Sequence, residues 1–409
     1  MLSKTSKQTN RLKLSEFKLN TLLEITNAIN NNFSSEQLFM LLKFILQNQL
    51  NIGKAIIFIN TQHSWECVME YGVSEHEKEI DIDDRLAHLI EITVVDLYAK
   101  GEYNAFDVVI PVHHKSSPLA YLLLGDLDEN ELKASPIIKH LPFIQTLVNI
   151  IVVAIENKRL MRDNIRQERV KKELELASEM QSMLFPSSLP NNSLMQIAAY
   201  YQPHQQVGGD YYDFIYLNER EVLFCLADVS GKGVSAALLM ANFQANLRAM
   251  AQYQSSLTDM VIGLNEKVMD NAKGERFITL FIAKYNLETR QLNYINSAHP
   301  PPIMIDSNGP SELKVGCTGL GMFDEIPAIQ EGTITIEDNA LLCCFTDGVV
   351  ELENADAQPF DERMLWTLLE ENKTLSMQEM NLQIMDRLDH HRGDMPFVDD
   401  IALFSCRFF

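Results

Sequence analysis

Apolar residues recur every three or four positions over several stretches of this chain, and this spacing predicts amphipathic helices. Between them lie short runs rich in β-branched and aromatic residues, which predict strands. In the first third of the chain the helical stretches are residues 14–30, 35–50 and 142–161. The strand candidates are residues 54–60, 65–72, 106–114 and 119–127. This order predicts an α+β domain with an antiparallel sheet and flanking helices over residues 12–155, in which Ser34 or Ser35 begins the second helix as an N-cap.

Residues 156–188 form a charged connector with a helical pattern. Its second half has apolar residues at heptad spacing, which predicts a weak coiled-coil linker and a homodimer through that helix. The alternative is a single solvated helix that docks on the next domain. Pro186 and Pro190 are expected to end the helix. The predicted seam comprises Leu160, Gln167, Leu174 and Gln181, with Asp163, Val170, Ala177 and Leu184 at the companion position.

Strand and helix patterns alternate again from residue 189 to residue 409. Two blocks of strands with helices around them predict an α+β layered domain with antiparallel sheets. The strand candidates are residues 197–203, 213–218, 221–231, 277–286, 291–306, 333–349 and 401–409. The helix candidates are residues 235–253, 257–271, 361–372 and 376–391.

Composition excludes some classes of partner. The net charge of −22 disfavours nucleic acid and anionic membranes, because both bind basic surfaces. No apolar run approaches the length of a membrane span, and no apolar segment of a secretory signal follows the basic start, so we expect a cytoplasmic protein without a membrane span. The six cysteines show no CxxC spacing and are expected to be reduced and mostly buried.

Four aspartates stand at or near the ends of strand-like runs: Asp210, Asp228, Asp347 and Asp399. If the strand ends converge, the carboxylates form a cluster whose mutual repulsion requires cations. Oxygen ligands select hard ions such as Mg²⁺ or Mn²⁺. The residues alone therefore predict a two-metal hydrolase that acts on a phosphate ester. A single aspartate after a strand would more often be a turn former.

The motifs GGDYYDF, ADVSGKGVSAALLMA, SAHPPP, FTDGVVE and DDIALF occur in the order typical of one family. Together they resemble the PPM (PP2C-type) serine/threonine phosphatases, and more narrowly the bacterial branch that includes SpoIIE and RsbU. The segment ELASEMQSMLFPSSLP resembles the entry segment of that branch. The resemblance covers roughly residues 170 to 409 and implies a PP2C-like α/β/β/α sandwich of two antiparallel sheets.

The resemblance also implies roles for individual residues. Asp228 would bridge two Mn²⁺ or Mg²⁺ ions, Asp210 would hold one ion, and Asp347 and Asp399 the other. The backbone carbonyl of Val229 would be a further ligand. No protein nucleophile is needed, because the ions activate a bridging water. Asp400 is the alternative to Asp399 as a ligand.

Several neighbouring residues have a structural alternative. We expect Asp213 to be a hydrogen-bond partner rather than a ligand, and His299 to be structural rather than an orienting residue of the site. Lys232 is expected to face solvent or the substrate, because SGKG lacks the other residues of a nucleotide-binding loop. Ala298 departs from the glycine that the family often has before the His-Pro pair.

The first domain resembles a GAF-type sensor by its element order alone. His63, His88, His113 and His114 are more often ordinary residues than ligands in such a pattern. The chain as a whole is thus predicted to be a sensor-regulated phosphatase in a partner-switching stress response. Its predicted partners are a phosphorylated STAS-type anti-sigma factor antagonist and an unknown sensor ligand or activating protein. The alternatives are a pseudophosphatase that acts as a binding module, or a protein that is chiefly a small-molecule receptor.

Overall fold

The computed structural model describes residues 2–61, 64–78, 80–94, 106–114, 117–125, 140–253 and 256–409. The chain divides into two compact units, residues 1–168 and residues 169–409. The boundary between the units falls within helix α4, Leu141–Ser182. The helix ends at Ser182, before the two prolines that were expected to end it.

The first unit contains a five-stranded antiparallel sheet in the order β2-β1-β5-β4-β3. Its strands are β1 Lys54–Asn60, β2 Trp65–Tyr71, β3 Thr93–Val94, β4 Val108–His114 and β5 Ser117–Gly125. Its helices are α1 Leu2–Asn30, α2 Ser35–Phe44 and α3 Ile82–Arg85, with a π-helical turn at Ile45–Gln49 and a 3-10 turn at Glu75–Lys78. Ser34 caps α2 in a capping box with Gln37, which confirms one of the two predicted N-caps.

Helix α4 is long and apolar enough, by length and composition alone, to cross a membrane. This corrects the expectation that no apolar run approaches that length. Its apolar first part belongs to the core of the first unit, where Leu147, Val148 and Ile151 are fully buried together with Leu42 and Leu122. Core helices of globular domains meet the same criterion, so the helix is weak support for a span.

The second unit has two facing sheets with helices outside each. One sheet has the order β13-β10-β9-β8-β7 with β14 beside β10, and the other has the order β12-β11-β15-β16-β6. All their pairings are antiparallel except β10 with β13. The strands are β6 Met195–Gln202, β7 Tyr211–Tyr216, β8 Glu221–Val229, β9 Ile278–Asn286, β10 Gln291–Ser297, β11 Ile303–Asp306, β12 Gly309–Glu312, β13 Gly316–Cys317, β14 Gly332–Thr335, β15 Leu341–Phe345 and β16 Ile401–Phe408.

The helices of this unit complete a four-layer arrangement. They are α5 Val234–Ala251, α6 Leu257–Ala272, α7 Asp347–Val350, α8 Glu362–Glu371 and α9 Met377–Arg392. Phe224 of one sheet stacks on Phe404 of the other in the shared core, with ring centroids 5.5 Å apart. Helices α5 and α6 cover the outer face of the first sheet, and α8 and α9 that of the second. The predicted α/β/β/α sandwich is confirmed.

Two predicted strands are wrong in extent. Residues 291–306 form β10 and β11, separated by Pro300, Pro301 and Pro302, which lack the N–H that a strand ladder needs. Residues 333–349 divide into β14, β15 and the short helix α7.

Antiparallel pairing places the four aspartates near one another. Asp210 directly precedes β7, and Asp228 is the second-to-last residue of β8, which pairs with β7. In the second sheet, Asp347 follows β15 and Asp399 precedes β16, which pairs with β15. The start of one strand lies beside the end of its antiparallel neighbour, so each sheet contributes two carboxylates.

Candidate metal centre

Asp210 and Asp228 form the buried side of the site. Asp210 is 1% exposed and Asp228 is half-buried, and the two carboxyl groups are close enough for each to affect the pKa of the other. Burial, followed by the Asp228 and Asp400 charges, raises the pKa of Asp210 well above its ordinary value. Burial and then the Asp347 charge also raise the pKa of Asp228. A cation between them would offset both the burial and the mutual repulsion that raise the two pKa values.

Thr346 fixes the orientation of Asp210. Its hydroxyl group donates to Oδ2 of Asp210 at 2.8 Å and accepts from the backbone N–H of Ala402 at 2.9 Å. Thr346 is fully buried, so one oxygen connects the end of β15, the start of β16 and the residue before β7. Thr346 directly precedes Asp347 in the FTDGVVE motif, but no local sequence pattern indicates its contact with Asp210.

Asp347 and Asp399 form the outer side of the site. Burial and then the Asp399 charge raise the pKa of Asp347. Oδ2 of Asp399 lies 2.8 Å from Nζ of Lys232, and both side chains are more than one-third exposed. The same ammonium group donates to the backbone carbonyl of Val398. Lys232 is therefore a partly solvent-exposed cation beside Asp399, which agrees with the prediction that it faces solvent.

Asp400 has a different environment from Asp399. Its Oδ1 accepts from the backbone N–H of His204 at 2.7 Å, and its Oδ2 accepts from that of Gly209 at 2.6 Å. The side chain is buried. Both oxygens of Asp400 thus hold the loop that leads into Asp210.

The glycines of the GGD motif are required by close packing. A Cβ atom at Gly209 would lie 2.8 Å from the carbonyl oxygen of Val229. A Cβ atom at Gly208 would collide with the hydroxyl of Tyr201 and the carboxylate of Asp400. The Val229 carbonyl, a predicted ligand, therefore faces the loop that carries Asp210.

Two other predicted residues have structural contacts. Asp213 accepts from the Tyr211 hydroxyl at 2.5 Å and pairs with Arg248 of α5 at 2.8 Å, which confirms its expected role as a hydrogen-bond partner. His299 is buried, and its Nδ1 lies 2.8 Å from the hydroxyl of Thr279. Burial lowers the pKa of His299 to about 3, so the ring is neutral. These contacts favour the structural role of His299.

Of the four histidines considered as ligands in the first unit, His63 lies outside the described residues. The described cysteines are free, and all but Cys67 are buried or half-buried.

The donor set fits hard divalent ions, since it consists of carboxylate oxygens and one carbonyl oxygen. Within the described part of the chain, however, no group of three or more His, Cys, Asp or Glu side chains is already arranged to hold an ion. Asp399 is paired with Lys232 instead. An ion that binds Asp399 would have to displace this lysine.

Comparison with known proteins identifies the fold. The SiaA-PP2C domain of Pseudomonas aeruginosa superposes with a TM-score of 0.54 at 19% identity, over 60% of this chain and 99% of that domain. The second unit therefore has the fold of a PP2C-type phosphatase. Residues 218–409 match the family described as Stage II sporulation protein E (SpoIIE). This match confirms the predicted resemblance of the second unit to the SpoIIE-type phosphatases.

Two curated relatives extend the comparison. Phosphoserine phosphatase RsbU of Bacillus subtilis is 28% identical over 243 residues, which cover 59% of this chain and 71% of RsbU. Protein IcfG of Synechocystis is 22% identical over 378 residues, which cover 84% of this chain and 58% of IcfG. The sequence likeness to RsbU and the PP2C fold together support a PPM-type protein phosphatase.

Proposed function

We propose that this chain is a metal-dependent protein phosphatase that hydrolyses phosphoserine or phosphothreonine on a regulatory protein. The observation that carries the proposal is the convergence of Asp210, Asp228, Asp347 and Asp399 at one edge of the sandwich, where three of the four have raised pKa values. A cluster of buried and half-buried carboxylates of this kind is costly without cations. The name of the relative RsbU, a phosphoserine phosphatase, supports the substrate class.

In the proposed site, two Mn²⁺ or Mg²⁺ ions would be held by Asp210, Asp228, Asp347, Asp399 and the Val229 carbonyl, and Asp228 would be the ligand shared by both ions. The bound ions would supply Lewis acidity and an activated water. Thr346 holds the Asp210 carboxylate in place from behind. Asp400 is committed to two backbone N–H groups, which favours Asp399 as the ligand.

The proposal extends to partners and regulation. The substrate would be a phosphorylated STAS-type anti-sigma factor antagonist in a partner-switching pathway, and residues 12–155 would be a GAF-like sensor for an unknown ligand or activating protein. Residues 156–188 would be the linker and residues 189–409 the phosphatase domain. We place the protein in the cytoplasm, because the apolar part of α4 is used in the core of the first unit.

A homodimer through α4 is part of the proposal. Met161, Ile165 and Leu176 are at least 60% exposed along the helix. In contrast, Gln181 is buried and Leu184 packs against the core of the second unit. The last positions of the predicted seam therefore face their own domain, and the dimer would use the exposed apolar residues instead.

Phosphate release from a phosphoserine protein by the full chain tests the activity. We expect turnover that requires Mn²⁺ or Mg²⁺, stops with a chelator and is much slower on phosphotyrosine. Asp228→Asn should abolish it, whereas Asp270→Asn, the same change at an exposed position of α6, should not. A chain that binds divalent ions but releases no phosphate would point to a binding module, and one that does neither would contradict the proposal.

A further inference from the structure

Gln181, in the last turn of α4, contacts the loop that leads into Asp210. Its Nε2 donates to the backbone carbonyl of Gly208 at 2.7 Å, and its Oε1 accepts from the N–H of Gly208 at 3.2 Å. The side chain is only 7% exposed. One amide therefore satisfies both backbone groups of a residue two positions before Asp210.

Asp400 holds the same loop from another direction, through the N–H groups of His204 and Gly209. The two anchors differ in origin: Asp400 directly precedes strand β16, whereas Gln181 belongs to the connecting helix α4. A change in the position of the end of α4 would remove the Gln181 contact and leave that of Asp400 in place.

The segment that directly follows α4 makes a second contact with this domain, which does not involve Gln181. The ring of Phe185 lies 5.0 Å from that of Tyr201, 5.5 Å from that of Tyr211 and 4.9 Å from that of Tyr212, between ring centroids. This aromatic contact packs the segment against the domain, whereas the side-chain amide of Gln181 orients the loop. A substitution at Gln181 should therefore remove the orientation of the loop and leave the aromatic packing in place.

We propose that Gln181 is a positioning residue that sets the place of Asp210 and thereby the affinity of the site for divalent ions. This inference rests on the proposed metal-dependent function. It adds that α4 acts on the metal site through Gln181. Without the two hydrogen bonds, the Gly208 backbone is free to reorient, and ion binding must supply the ordering of the loop.

Metal titration tests the inference in the full-length protein. Gln181→Ala and Gln181→Met should both raise the dissociation constant for Mn²⁺ about tenfold in calorimetry, because methionine keeps the approximate shape of the side chain but makes neither hydrogen bond. Saturating Mn²⁺ should restore most of kcat. Gln167→Ala, at an exposed position of the same helix, should bind Mn²⁺ like the natural protein.

Hydrogen exchange of the metal-free protein provides a readout that does not depend on activity or on ion binding. Gln181→Ala and Gln181→Met should speed exchange of the Gly208 amide at least fivefold, with smaller effects on Gly209 and none in β16. Unchanged exchange at Gly208 or unchanged Mn²⁺ affinity in a folded Gln181→Met variant would overturn the inference. If the natural protein binds no Mn²⁺, the proposed function fails, and exchange alone decides whether Gln181 orders the loop.

Discussion

The two sides of the carboxylate cluster are built in different ways. On the buried side, Asp210 is almost inaccessible, and its carboxylate receives a hydrogen bond from Thr346. On the outer side, Asp399 is more than one-third exposed and pairs with Lys232. The comparison indicates that one side is held by the fold, whereas the other is held by an exchangeable ion pair. Substitutions on the two sides should therefore change different quantities.

The largest effect is expected at Asp228, which connects the two sides. Asp228→Asn should lower turnover by about a thousandfold or more, since the residue is the proposed bridge between the ions. The variant should also unfold less readily without metal, because one half-buried carboxylate of the cluster is removed. Metal-dependent hydrolysis and denaturant unfolding in a chelator measure the two effects.

The stability gain of Asp228→Asn should depend on pH. A carboxyl group whose pKa is raised in the folded state gives stability at low pH, which is lost as pH rises through the folded pKa. For Asp228 this range runs from its ordinary value of 3.8 to about 7. The advantage of the variant in free energy of unfolding should therefore grow by on the order of 3 kcal/mol between pH 4 and pH 7. If the variant and the natural protein differ in free energy of unfolding by the same amount at every pH in this range, the pKa of Asp228 is not raised in the folded state, and the account of the buried side is contradicted.

The second-largest effect is expected at Thr346, which contacts Asp210 on the buried side of the cluster. Thr346→Val removes the hydroxyl that donates to Asp210 and leaves the N–H of Ala402 without its acceptor. We expect about a tenfold loss of kcat/KM and a loss of about 1–2 kcal/mol in the free energy of unfolding. Thr346→Ser keeps the hydroxyl and should retain most of the activity. Equal activity in the valine and serine variants would show that the hydrogen bond does not matter.

A smaller effect of opposite sign is expected at Lys232, on the outer side. Lys232→Met removes an ammonium group that repels an incoming divalent ion and occupies Asp399. Affinity for Mn²⁺ should rise about threefold, because an exposed ion pair contributes only about 0–1 kcal/mol. Calorimetric titration measures this change, with Lys267→Met on α6 as the control. Weaker Mn²⁺ binding would indicate that Lys232 supports the site rather than competes with the ion.

The smallest effect is expected at Ala298, which lies outside both sides. Its φ of +54° is in the left-handed region, where a side chain is strained and glycine is not. Ala298→Gly should therefore raise the free energy of unfolding by about 0.5–1 kcal/mol without changing turnover. Denaturant unfolding checks the gain, and a destabilised variant would mean that the neighbouring His299 contacts need the methyl group.

The carboxylates were predictable from the sequence because each lies in a motif at a strand end. The contacts that distinguish the two sides of the cluster could not be predicted from the sequence. The partner of Asp210 is Thr346, which is 136 residues away, and that of Gly208 is Gln181 on the connecting helix. Such pairs depend on how the sheets and α4 pack, which local patterns do not encode. For the same reason Gln181 was expected in a coiled-coil seam.

Hydrophobic periodicity predicted most helices and strands, including α5, α6, α8 and α9 close to their observed bounds. It failed where an apolar run continues although the hydrogen bonding of the strand stops. At Pro300–Pro302, for example, one predicted strand is in fact two. The periodicity of α4 does not distinguish a solvent-exposed linker, a dimer seam and a docked helix, because all three have an apolar stripe.

The central claim is that Asp210, Asp228, Asp347 and Asp399 hold two divalent ions together. Anomalous scattering from crystals of the full chain grown with Mn²⁺ tests it most directly. We expect two manganese peaks among these four carboxylates, with Asp228 in contact with both and Lys232 displaced from Asp399. The absence of any peak there at saturating Mn²⁺, or peaks coordinated by other residues, would contradict the account.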